Sequence, residues 1–183
     1  DDLNTAIEID SEYSRSYFIM GVILNQIGQI DEAKKYYDIS ISIDPNYESA
    51  LLERAKIYSL KKLYSLSIND YDLLIKINPN NNYIYSLRGK CKYEIDDFIG
   101  CIMDLERYLM EFNNDFESYN LIGICKFNLK DYSAAIDYYN SAINLNLNFK
   151  SAYRNRGIAK EKINDFNGAC LDWKKAFELG CID

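Results

Sequence analysis

Side chains in this sequence recur every 34 residues, and that period constrains the fold more than any other feature. Gly21, Gly89, Gly123 and Gly157 stand on one lattice, with Ala55 in the remaining slot, and the only two prolines, Pro45 and Pro79, keep the same interval. Three columns are large and mostly aromatic: Tyr17, Leu51, Tyr85, Tyr119 and Tyr153; Ile30, Tyr64, Phe98, Tyr132 and Phe166; Tyr37, Tyr71, Leu105, Tyr139 and Trp173. Another is small, at Ala33, Ser67, Cys101, Ala135 and Ala169, where two helices are expected to approach closely. A period in the range of roughly 20–50 residues marks a stack of like units that share one continuous interior.

The units run 14–47, 48–81, 82–115, 116–149 and 150–183 without insertion or deletion. In residues 1–13, Leu3, Ala6, Ile7 and Ile9 fall in the columns of Tyr139, Ala142, Ile143 and Leu145, so this leader reads as the second helix of a truncated sixth repeat. The natural chain is therefore expected to extend further towards its N-terminus, and residues 1–183 to form a single solenoid domain. Within a unit the apolar spacing alternates between three and four, as at Tyr119, Ile122, Gly123 and Lys126, then Tyr132, Ala135, Tyr139 and Ala142, which predicts two helices. Breaks such as Ile27-Gly28-Gln29 and Leu129-Lys130-Asp131 separate them; Gly28 suits a left-handed turn and Asp131 an N-cap. Asp44-Pro45-Asn46 and Asn78-Pro79-Asn80 end the second helix, because proline lacks the N–H and restricts its predecessor.

These residues resemble the tetratricopeptide repeat family over essentially the whole chain. The family pattern is seen in the first unit as Tyr17, Met20-Gly21, Leu24, Ile30, Ala33, Tyr37, Ser40 and Pro45, with Ile30 and Ser40 as departures. The last unit shows Tyr153, Gly157, Phe166, Ala169, Trp173 and Ala176 but lacks the proline. The resemblance implies an all-α solenoid, a right-handed α-α superhelix of five antiparallel helix-turn-helix repeats. It also implies a concave surface lined by the first helix of each unit, which commonly receives a peptide or helix.

Two columns switch together. Arg54, Arg88 and Arg156 share one place, filled by Met20 and Ile122 in the other units; sixteen residues on stand Asp70, Asp104 and Asp172, but Tyr36 and Tyr138 in those same two. An Arg–Asp contact across the hairpin is expected in three units and an apolar contact in two, with a structural rather than catalytic role.

The second, fifth, ninth and twelfth places of each first helix share a stripe distinct from the packing positions. Taken as the partner-binding groove, it offers Arg15, Phe18, Val22 and Asn25; Leu52, Lys56 and Ser59; Tyr83, Ser86, Lys90 and Tyr93; Asn120, Ile124 and Phe127; and Arg154 and Ile158. With Ser49, Glu117, Ser151 and Glu161 the stripe carries four basic and two acidic residues, against a net charge of −7 for the chain. Apolar side chains among a few cations suit a peptide with apolar anchors and some acidic character. The family's best-known ligand mode grips a C-terminal carboxylate with lysine, asparagine and arginine from successive units. Here the corresponding places hold Phe18, Val22, Glu53, Tyr83 and Leu87, so that mode is not expected.

With no histidine and no glycine-rich phosphate loop, neither an enzyme nor a metal or cofactor site is expected. Net acidity works against non-specific binding to nucleic acid or anionic membranes. Cys91, Cys101, Cys125, Cys170 and Cys181 are odd in number, and buried free thiols in a reducing, cytoplasmic setting are the expectation. An alternative to groove binding is self-assembly: Leu171, Trp173, Ala176, Phe177 and Leu179 crowd the last helix, whose uncapped face could join copies, for instance as a homodimer.

Overall fold

A computed structural model describes residues 13–181. Among them are ten α-helices and no strand: α1 (Ser14–Gln26), α2 (Ile30–Ile43), α3 (Glu48–Leu60), α4 (Tyr64–Ile77), α5 (Asn82–Glu94), α6 (Phe98–Leu109), α7 (Phe116–Asn128), α8 (Tyr132–Leu145), α9 (Lys150–Lys162) and α10 (Phe166–Glu178). The expected truncated repeat falls almost wholly on residues 1–12, outside the described residues. The chain divides into two compact units, Asp1–Cys91 and Lys92–Asp183.

Every turn inside a hairpin is the same. Gly28, Lys62, Asp96, Lys130 and Asn164, spaced by 34, all have positive φ, between 59° and 81°. In the turn after α1, Gln29 N donates to Leu24 O at 2.9 Å and Gly28 N to Asn25 O at 3.0 Å, and the pair recurs after α7 as Asp131 N to Lys126 O and Lys130 N to Phe127 O. This is the Schellman arrangement, which satisfies carbonyls left over at a helix end. Only one unit spends a glycine on the left-handed residue; the other four hold a side chain there. Asp97, Asp131 and Asp165 then cap α6, α8 and α10 by accepting from the backbone N–H three residues on.

The period-34 columns become the core. In the first unit Ala33, Tyr37, Ala50 and Ile57 form one cluster, and Leu51, Ala55, Tyr71 and Leu74 the heart of another. In the second unit Cys101, Leu105, Ile122 and Cys125 pack together, as do Ala135, Tyr139 and Ala159. The glycine lattice exists for close approach: a Cβ on Gly123 would lie 2.5 Å from the Tyr139 ring, and one on Gly21 as near to Tyr37. Tyr36, Tyr108 and Tyr138 also pack, with ring partners Tyr17, Phe112 and Tyr119. One expectation fails in part. Cys91, Cys101 and Cys125 are buried free thiols, but Cys170 is exposed and Cys181 only half-buried, because both belong to the last hairpin, where α10 turns one face outward.

The covarying columns meet as expected in two repeats. Arg54 Nη2 lies 2.7 Å from Asp70 Oδ1, and Arg156 Nε donates to Asp172 Oδ2 at 2.8 Å. The members of the third pair, Arg88 and Asp104, belong to different units; within its own unit each has a further partner, Asp72 at 2.6 Å and Lys92 at 3.0 Å. Each arginine also reaches back to the preceding hairpin: Arg54 to Asp38 at 2.9 Å, Arg88 to Asp72, and Arg156 to Asn140 at 2.7 Å. Where the arginine is replaced by Ile122, Tyr138 packs into the same cluster and its hydroxyl donates to Glu106, the acceptor of that column, at 2.6 Å.

Candidate functional site

The first helices present their second, fifth, ninth and twelfth places at different depths. In the first unit Arg15, Lys56, Tyr83 and Lys90 are exposed. Phe18 sits edge-on to Tyr47 with ring centroids 5.3 Å apart, and Val22 joins it against the Ala33–Tyr37 cluster. Leu52 packs on the Leu51–Tyr71 cluster; Asn25 and Ser59 are half-buried. Lys56 is engaged by Glu53 at 2.7 Å on its own helix.

The second unit gathers its residues more tightly. Ile124 and Phe127 of α7 and Ile158 of α9 line a recess of about 80 Å³, completed by Tyr139 and Asn155. Phe127 is held by Tyr132, with centroids 5.2 Å apart, and Tyr93 by Phe98 at 6.1 Å. Asn155 Nδ2 donates to Asn120 Oδ1 at 3.1 Å, tying α9 to α7 beside the recess. Burial pushes the Tyr139 hydroxyl far above its ordinary range, so this wall of the recess is a neutral phenol at any physiological pH. Arg154 projects into solvent one turn before Ile158.

Two residues of the expected stripe are not surface. Ser86 and Asn120 are buried, Ser86 donating to Tyr83 O at 3.0 Å and Asn120 accepting from Asn155. Both hold the fifth place, which lies about 60° around the helix from the glycine place at 100° per residue. Asn120 is held there by Asn155 of the following hairpin, whereas Arg154, in the last described hairpin, is exposed. Sequence reasoning also missed Asn155 as a lining residue. Its column reads Ile19, Glu53, Leu87, Leu121 and Asn155, so a lone carboxamide was the available signal.

The recess is small and apolar, with room for one side chain, and Asn155 is its one amide-bearing lining residue. Among the described residues no group of three or more His, Cys, Asp or Glu side chains is placed to hold a metal ion, and no helix is long and apolar enough to cross a membrane.

A family model described as "Tetratricopeptide repeat" matches residues 14–47, 48–81 and 116–149, together more than half of the chain. Among solved structures, YrrB, described as a tetratricopeptide repeat protein with an unusual peptide-binding site, superimposes with a TM-score of 0.88 at 17% identity, covering 98% of this chain and 93% of its own. The MamA protein superimposes with a TM-score of 0.86 at 24% identity over 92% of each chain, and a MamA segment from Desulfovibrio magneticus RS-1 with 0.85 at 17%, over 91% and 94%. At these identities the likeness concerns the fold. A 69-residue stretch is 41% identical to an uncharacterised protein, ycf37, of Pyropia yezoensis; the match takes in 36% of this chain and 36% of that protein.

Proposed function

The chain belongs to the tetratricopeptide repeat family, whose members generally mediate protein–protein interactions, and from that premise we propose that its first-helix faces hold a peptide or helix of a protein partner. The observation that carries this reading is the recess between α7 and α9: Ile124, Phe127 and Ile158 come from different hairpins and leave unfilled space among them. A core position would have been closed by packing, as Ala135, Tyr139 and Ala159 are beneath it. One apolar side chain of the partner enters the recess, and Arg154, exposed one turn before Ile158, supplies a cation on the same helix. The likeness in fold to YrrB, described as having an unusual peptide-binding site, supports the reading.

The test is a selection of displayed random peptides on the intact chain, followed by binding of the selected peptides to Ile158→Glu and Phe127→Ala variants. Selected peptides should share an aliphatic or aromatic anchor and lose at least tenfold in affinity to both variants while melting temperature stays within a few degrees. Peptides that bind the variants as well as the parent would refute the recess as the site.

A second reading, self-assembly through the terminal helices, is supported by a separate observation. Leu171 and Phe177 on α10 are among the most exposed large apolar residues described, and Phe166 and Trp173 accompany them.

A further inference from the structure

We infer that the side chain entering the recess between α7 and α9 is a tyrosine of the partner, recognised by the hydroxyl of Tyr139 as well as by the apolar walls. The inference rests on the groove reading and names the anchor which that reading leaves open.

The recess is not hydrocarbon throughout. Ile124, Phe127 and Ile158 supply its walls, and Tyr139 and Asn155 complete it. Tyr139 is only 2% exposed, so the part of it that meets the recess lies deep. Its hydroxyl makes no hydrogen bond among the described residues, and it is not sealed off as the equally unpaired hydroxyl of Tyr37 is. Asn155 gives its Nδ2 hydrogen to Asn120 and leaves Oδ1 without a partner. A neutral phenol both donates and accepts, and a carboxamide oxygen accepts. Two unused hydrogen-bonding residues therefore border one small apolar space.

Packing does not account for that hydroxyl. The same column is filled at Leu105 by a hydrocarbon side chain that is fully enclosed. At Tyr71 the hydroxyl is used within the chain, bonded to Ser67. At Tyr139 it is neither needed by the core nor bonded to it.

The chemistry of the space selects the anchor. Serine and threonine carry their hydroxyl beside the backbone, too near the mouth to pass the apolar walls. Asparagine and glutamine bring two N–H donors and little apolar body. Leucine, isoleucine or phenylalanine fills the space but covers the Tyr139 hydroxyl without pairing it, which leaves a polar group cut off from water. Tyrosine alone of these combines an apolar ring with a donor and acceptor at its far end. A recess of about 80 Å³ takes the hydroxyl end of that ring, with the remainder at the mouth. A site that pairs a ligand hydroxyl rejects the analogue lacking it far more strongly than a site that only fits around it.

The test takes peptides selected by display on the intact chain, makes each with tyrosine and with phenylalanine at the anchor, and titrates both against the parent and Tyr139→Phe. The parent should bind the tyrosine form about tenfold more tightly. Tyr139→Phe should bind the two forms within about twofold of one another, since neither then meets a phenol. Without peptide, that variant should melt no lower than the parent, because the hydroxyl has no partner in the chain to lose. The comparison of the two peptides on the parent requires no variant and stands whether or not Tyr139→Phe folds. Equal affinity of the parent for both forms refutes this inference alone when Ile158→Glu still abolishes binding. A tyrosine preference that survives Tyr139→Phe undiminished refutes it as well. Binding that Ile158→Glu leaves intact refutes the recess as the site, and this inference with it.

Discussion

Asp172 should be costly to remove alone and cheap to remove together with Arg156. Its side chain is 5% exposed and is held by Arg156 and by Lys160, whose nitrogen lies 2.9 Å from Oδ2; those two side chains are only 17% and 20% exposed. Asp172→Ala leaves two cations in a largely enclosed site without their carboxylate, a loss of about 3 kcal/mol by comparison with other broken buried pairs. The chain supplies its own control, because the fourth repeat fills the same two places with Ile122 and Tyr138. Arg156→Ile combined with Asp172→Tyr copies that solution, and the introduced hydroxyl meets Asn140 as Tyr138 meets Glu106. Lys160 then has Asp165 at the spacing by which Lys126 reaches Asp131. The double variant should lie within about 1 kcal/mol of the parent, since replacing a whole buried pair by packed apolar groups is commonly neutral. Hydrogen exchange of α9 and α10 amides reads the effect locally: about a hundredfold faster exchange for Asp172→Ala, at tenfold per 1.4 kcal/mol, and near-parent rates for the double variant. Additive losses in the double variant would show that the columns covary without touching energetically. A single variant costing under about 1 kcal/mol would show that the charges are effectively solvated.

The same pair sets a pH dependence. Burial alone would raise the Asp172 carboxyl, but Arg156 and Lys160 outweigh it and hold the group below the usual carboxylate range. A lowered folded value adds stability that is complete above the unfolded value of about 3.9 and is lost as pH falls through the folded one. The parent should therefore lose stability more steeply than the Arg156→Ile/Asp172→Tyr variant below about pH 4, with parallel curves above about pH 5; equal slopes in acid urea titrations would contradict the assignment. At the hairpin turn, Lys130 carries φ of 64°. Lys130→Gly removes a left-handed penalty of about 1–2 kcal/mol and incurs about 0.5–1 kcal/mol of added chain entropy, so it should stabilise by roughly 0.5–1 kcal/mol. A lower urea midpoint for that variant would refute the account of the turn.

The hairpins were legible because their determinants are local and repeated. Gly123 against Tyr139, or Asp131 at the start of α8, can be read from spacing alone, since one residue type answers one steric or hydrogen-bonding need. The left-handed column was legible only at Gly28. At Lys62, Asp96, Lys130 and Asn164 the Schellman bonds fix the conformation against the preference of the side chain, so composition gives no notice of it. The acceptors Asp38, Asp72 and Asn140 escaped for a related reason: two carboxylates and an amide serve one role, and a search by residue type divides them. At the proposed site, periodicity grouped the stripe residues on one side of each first helix but could not give depth. Ser86 and Asn120 are enclosed and Arg154 exposed at equivalent places, a difference that comes from what packs beside each and not from register.

That difference bears on how a partner is read. The columns that pack are confined to a few shapes because their members are enclosed, as Ala33, Tyr37, Leu51 and Leu105 are. The fifth place runs through Phe18, Leu52, Ser86, Asn120 and Arg154, and the ninth through Val22, Lys56, Lys90, Ile124 and Ile158. Each hairpin thus shows a different chemical character on an unchanged frame. Some of these places also touch the next hairpin, as Asn120 does through Asn155, so the exposed ones, Lys56, Lys90 and Arg154, are those where a substitution alters a local contact and leaves the packing intact. On the proposed groove reading, affinity is the sum of several modest contacts, and specificity resides in their order along the chain.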